Sequence, residues 1–176
     1  MYNVIFLVYL ALLCLSFFAF VLSLFRYNIT EIRQIFSSEK LIRYSGLFLV
    51  INSVLVAMLW LSIVIPPLLD GSIYPKELQH YTTLIVQGFD LGLLLPIGIV
   101  SGLLAFRKNR YGYLFTTINL IFLSILMAAL TSKILFMANA GENVIPVIFI
   151  MPTVCLISTI LSLLILKSIK VEPKEI

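Results

Sequence analysis

The chain is poor in charge, histidine, cysteine and tryptophan. Of its 176 residues only 11% are Asp, Glu, Lys or Arg, less than half the roughly 25% of a soluble domain. That excludes a solvated globular fold, because 61% of the residues are hydrophobic and the mean hydropathy is +1.13. One histidine excludes the paired motifs of a di-iron carboxylate site, although Glu77 and His80 have the spacing of one half of such a motif. No metal and no cofactor is expected. The two cysteines, Cys14 and Cys155, lie in apolar runs without metal-ligand spacing and are expected to be reduced, inert thiols. Neither a zinc-protease helix nor a phosphate-binding glycine loop occurs. The longest polar connections, residues 26–40 and 68–80, are too short for a separate soluble domain.

What is present is a series of apolar runs long enough to cross a bilayer, which needs roughly 20 helical residues. We read an all-α membrane bundle, a single domain over residues 1–176, with five spans near 4–25, 44–65, 82–106, 111–135 and 144–166. The first run has no base before it, so it lacks the basic start of a secretory signal and is read as a retained, lipid-facing helix. Asn28 with Glu31 makes a helix-start signature, and Ile29, Ile32, Ile35 and Phe36 form an apolar stripe. A short interfacial helix over 28–37, or an ordinary connector, fits that pattern. Pro66-Pro67 is expected to stop the second span, and Pro152 to kink the fifth.

The bases orient the spans. With the amino terminus outside and the carboxyl terminus inside, the inner side holds Arg26, Arg33, Lys40, Arg43, Arg107, Lys108, Arg110, Lys167, Lys170 and Lys174. The outer side holds only Lys76 and Lys133. The opposite orientation would violate the positive-inside rule. The net charge of +4 therefore reflects a basic rim against anionic headgroups, and nucleic acid is not an expected partner.

The third span, YTTLIVQGFDLGLLLPIGIVSGLLAF, is the only apolar stretch with an acid well inside it. Asp90 lies about 12 Å in from Thr82 at helical rise. An ionised acid at that depth costs at least ~2.5 kcal/mol, so it faces protein or water and counts as a candidate site. At 100° per residue His80, Thr83, Gln87, Asp90 and Ser101 fall near one line. Gly88 and Gly92 lie opposite, and Gly98 and Gly102 lie between, each a small-xxx-small pair suited to close helix packing. Pro96 frees the Gly92 carbonyl and should kink the helix one turn past Asp90. Lys133, on the outer half of the next span, is a candidate partner for Asp90. The ligand or ion site would comprise Asp90, Gln87, Thr83, His80 and Lys133.

Phe89-Asp90-Leu91-Gly92, then Pro96, then Arg107-Lys108-Asn109-Arg110 and Tyr111-Gly112-Tyr113 form one pattern. It resembles that of small uncharacterised prokaryotic multi-pass membrane proteins, in which an Asp-Leu-Gly and a proline precede a basic turn and an aromatic-Gly-aromatic helix start. The resemblance points to no particular activity and marks Asp90, Gly92 and Pro96 as a unit; the expected location is the cell membrane, the prokaryotic cytoplasmic membrane. Two functions stay open: a small-molecule or ion binding or transport module built on Asp90, and an accessory or structural subunit in which Asp90 only orients helices. For the second, a homo-oligomer or a membrane-complex partner is implied beside the lipid bilayer. An enzyme is disfavoured, because no nucleophile has a base and an orienting group in evident register.

Overall fold

The structure, a computed structural model, describes residues 6–26, 36–69, 71, 84–142 and 144–169. Among these residues it is all helical, with five helices: α1 (Phe6–Arg26), α2 (Glu39–Leu69), α3 (Ile85–Phe106), α4 (Arg110–Asn139) and α5 (Val147–Ser168). Helices α2 to α5 are each long and apolar enough to cross a membrane, and in α1 the shorter segment Cys14–Arg26 is apolar. The most extensive pairings are α4 with α5, α2 with α3, and α3 with α4. The described side chains of α1 are exposed, apart from the half-buried Val21 and Leu24. Such a helix suits a lipid surface.

The buried core is sparse, and nearly half of it is polar. Ile42, Leu49, Ala105, Tyr113, Leu120 and Ile165 form its apolar cluster. Ser45, Ser53, Ser101, Thr116, Thr117, Ser158 and Ser162 are buried beside them. In lipid the apolar side chains gain little by turning inward, so association relies on close packing of small residues and on hydroxyls bonded to backbone. Thr116 Oγ1 donates to Ser101 O at 3.1 Å, across α4 and α3. Cys155 and Cys14 are free thiols, and the Cys155 thiol lies 3.9 Å from Ser124 O of α4.

The bases gather at one end. There α1 ends, α2 begins, α3 ends, α4 begins and α5 ends, which brings Arg26, Lys40, Arg43, Arg107, Lys108, Arg110 and Lys167 to one rim. Two ties hold this rim. The Ser37 backbone N–H donates to Ser168 O at 3.1 Å, beside a bridge between Phe36 and Ile169. Lys108 Nζ lies 2.8 Å from Glu39 Oε2. Phe36 and Ser37 thus lie extended against the end of α5, and the rest of the expected 28–37 helix falls outside the described residues.

The turn between α3 and α4 is tight. Lys108 N–H donates to Ala105 O at 3.1 Å and Asn109 N–H to Leu104 O at 3.0 Å, the two bonds of a Schellman helix end. Lys108 takes the left-handed position there, with φ of 53°. Asn109 then caps α4, its Oδ1 accepting from Tyr111 N–H at 3.0 Å. Gly112 sits where an added Cβ would run into the backbone of Leu104 and Ala105.

One boundary differs from expectation. Helix α2 runs through Pro66 and Pro67 to Leu69. Proline's own φ is helical, so it ends no helix by itself. The loss falls on the carbonyls of Ser62 and Ile63 one turn back, and membrane helices tolerate such losses.

Candidate functional site: an acid and an indole at a small cavity

Asp90 opens a π-helical turn, Asp90–Leu94, that interrupts α3 between Ile85–Phe89 and Leu95–Phe106. The Leu95 N–H donates to Asp90 O, five residues back. Pro96 explains the position of this turn. Its ring crowds the carbonyl one turn back and it offers no N–H, so a widened turn ahead of it relieves both.

The π turn changes which residues share a face. It absorbs one extra residue, rotating the outer half of α3 by about 100° relative to an uninterrupted helix. Asp90 therefore leaves the Ser101 line and joins the Gly98 line, which faces α2. Three contacts follow that line. An added Cβ at Gly102 would strike Gly46 O and Val50, and one at Gly98 would strike Ser53 Oγ. At the far end Trp60 Nε1–H donates to Asp90 Oδ2 at 2.9 Å.

Between the Ser53–Gly98 contact and the Trp60–Asp90 bond lies a cavity of about 70 Å³. Its polar lining is Asn52 and Ser53 from α2, Asp90 from α3 and Asn119 from α4. Asn119 is held in place, its Nδ2 donating to Ser101 Oγ at 2.9 Å and to Phe115 O at 3.0 Å. Ser101 Oγ in turn donates to Ile97 O at 2.6 Å. Asp90 is the only titratable side chain among the lining residues. Its hydrogen bond comes from a neutral donor, and among the described residues no base pairs with it.

Several expected site residues are elsewhere. Lys133 is exposed on α4 and makes no ion pair with Asp90. Leu126 and Met127 of α4 line the same cavity as Asp90, and Lys133 lies six residues beyond Met127, about 9 Å at helical rise. Gln87 is half-buried and does not line the cavity. His80 and Thr83 lie outside the described residues. Gly88 and Gly92, expected to pack a neighbour, are exposed, and an added Cβ at either would meet nothing within 4 Å. The phase shift at Asp90 accounts for this, since it turns their face away from α2. Gly98 and Gly102 do pack closely. The pattern of the third span alone points to neither Trp60 nor Asn119, which stand on α2 and α4. The signal for Trp60 was its place seven residues, or two turns, from Ser53 on α2.

Four long apolar helices make this a multi-pass helical membrane protein, and a polar cavity lies on its α2–α3–α4 side. No family model, curated protein or solved structure matches the chain.

Proposed function

We propose that the protein is a membrane-embedded binding or transport module, and that Asp90 binds a proton or a small cation. The observation that carries this reading is the Trp60–Asp90 hydrogen bond at the edge of the cavity. An acid buried in a membrane needs a proton or a positive partner, and the indole supplies neither. No base stands beside Asp90 among the described residues, and we assign the balancing positive charge to the ligand. The cavity volume of about 70 Å³ suits water and a small ion. It is far below the roughly 300–1,000 Å³ of sites for organic molecules. Asn52, Ser53 and Asn119 offer oxygens around the carboxylate.

The orientation belongs to the same proposal. With α1 as a fifth span, the basic rim lies on the cytoplasmic side, the carboxyl terminus inside and the amino terminus outside. The cavity then sits in the half of α3 remote from that rim.

The chain carries its own reporter, since Trp60 is the only tryptophan. In detergent or nanodiscs its emission should shift on titration with acid or with a monovalent or divalent cation. Asp90→Asn should abolish the shift. Emission that ignores both pH and cations in a folded wild type would sink the reading. It would favour the second one, an accessory subunit in which Asp90 is helix glue. That reading draws on the outward-facing pair Gly88 and Gly92, which leaves room for a helix of another chain.

A further inference from the structure

The basic rim contains a second recess. Lys40, Arg43, Tyr44, Leu47 and Phe106 line a groove of about 290 Å³ between the start of α2 and the end of α3. The α2 residues recur at i, i+3, i+4 and i+7, so they share one helix face. From the rim inward the order along that face is two cations, a phenol, then hydrocarbon, with Phe106 of α3 opposite.

The two cations have no protein partner among the described residues. The acid in the first turn of α2, Glu39, lies 2.8 Å from Lys108 Nζ. Nor does the helix dipole account for Lys40, since a base in the first turn opposes it. Lys40 and Arg43 are exposed, Tyr44 is 68% exposed and Leu47 40% exposed. Among the described residues the groove therefore presents a double positive charge with no acid paired to it, beside an open hydrocarbon wall. A larger groove of about 420 Å³ lies between α1, α4 and α5, but no charged side chain lines it.

We propose that this groove holds one anionic phospholipid, its phosphate between Lys40 and Arg43 and an acyl chain along Leu47 and Phe106. The Tyr44 hydroxyl donates to the phosphate or glycerol oxygens, at the depth where membrane tyrosines sit. Arg43 gives the phosphate a planar fork and Lys40 a point charge. The inference rests on the membrane reading of the four long helices and is independent of the Asp90 cavity.

The test is native mass spectrometry of delipidated protein in detergent, titrated with phosphatidylglycerol or phosphatidylcholine. Phosphatidylglycerol should form the tighter single adduct. Lys40→Gln with Arg43→Gln should weaken it roughly 30-fold, and Arg43→Gln alone roughly 5-fold, on the scale of cations at an anionic membrane surface. Arg107→Gln with Arg110→Gln removes the same charge from the same rim but touches neither groove. It should change the adduct less than about twofold. Equal loss in both double variants would overturn the proposal in favour of diffuse surface charge. So would equal affinity for the two lipids, or full displacement by glycerol phosphate, which would mark a free-anion site. The substituted side chains are exposed, and should the double variant unfold, Arg43→Gln carries the same comparison. Asp90→Asn should leave the adduct unchanged, so a failure here and a failure of the Asp90 reading are separable.

Discussion

The two halves of α3 carry the same spacing of small residues and meet opposite surroundings. In the half next to the basic rim, Gly98 and Gly102 lie so close to α2 that a Cβ would hit Ser53 or the Gly46 backbone. In the other half, Gly88 and Gly92 face open space. The π turn between them sets the difference, because one extra residue in the helix turns one glycine pair away as it turns Asp90 inward. A small-xxx-small pair is thus a permission for contact. The phase of the helix at that point decides whether the contact is made within this chain.

The largest expected effect breaks this comparison directly. Gly102→Leu should destabilise the protein by about 3 kcal/mol, because the Gly46 carbonyl is backbone and cannot step aside without parting α2 from α3. Gly92→Ala should stay within about 0.5 kcal/mol of wild type. Unfolding in mixed detergent micelles, followed by circular dichroism, measures both. A Gly92→Ala loss as large as that of Gly102→Leu would mean that a second chain covers the outer half.

The next effect sharpens the polar end of the same interface. A hydrogen bond to a charged group contributes about 1.5–3 kcal/mol. Trp60→Phe and Asp90→Ala each remove that bond and should each destabilise by about 2 kcal/mol. The double variant should lose less than the sum of the two. Strict additivity in that cycle would show that the two side chains do not act on one another.

Much of this was legible from residues alone. The long apolar runs, the basic rim and the tight Gly98–Gly102 face all follow from composition and from a 3.6-residue period. Asp90 itself stands out as an acid inside an apolar run. Its partner does not, for a definite reason. A constant 100° per residue holds only until a π turn adds a residue, and Pro96 marks where helical phase is at risk without saying how the chain resolves it. The same shift misplaced Gly88 and Gly92. Asn119 escaped because its role depends on the azimuth of α4 about α3, which no single-helix pattern contains.

Pro96 offers a way to undo the difference between the halves. Pro96→Ala restores an N–H and removes the ring, so residues 90–95 can return to the α form. The outer half would then rotate back by about 100° and carry Asp90 away from Trp60. Helix propensity gains up to ~3 kcal/mol against the lost bond of about 2 kcal/mol, so the net stability change is about 1 kcal/mol. The telling readout is Trp60 emission, which should match that of Asp90→Asn. Unchanged emission would show that the π turn does not depend on the proline.

The smallest effect lies at the rim, where α3 ends. Helix α4 ends in the same backbone motif, with Gly141 N–H donating to Ala138 O and Glu142 N–H to Met137 O, both at 3.1 Å. There the left-handed residue is Gly141, φ 86°, which adopts it freely. At the end of α3 it is Lys108, for which that conformation costs about 1 kcal/mol. Its ion pair with Glu39 joins side chains 44% and 39% exposed, so the pair offsets only part of that cost, about 0.5 kcal/mol. Lys108→Gly should therefore stabilise by about 0.5 kcal/mol. Lys108→Ala keeps the strained backbone and loses the pair, and should destabilise by about 0.5 kcal/mol. The gap between the two variants isolates the backbone term from the charge. Equal stabilities for Gly and Ala would mean that Lys108 is not held in the left-handed region, and that the turn closes on Glu39 instead.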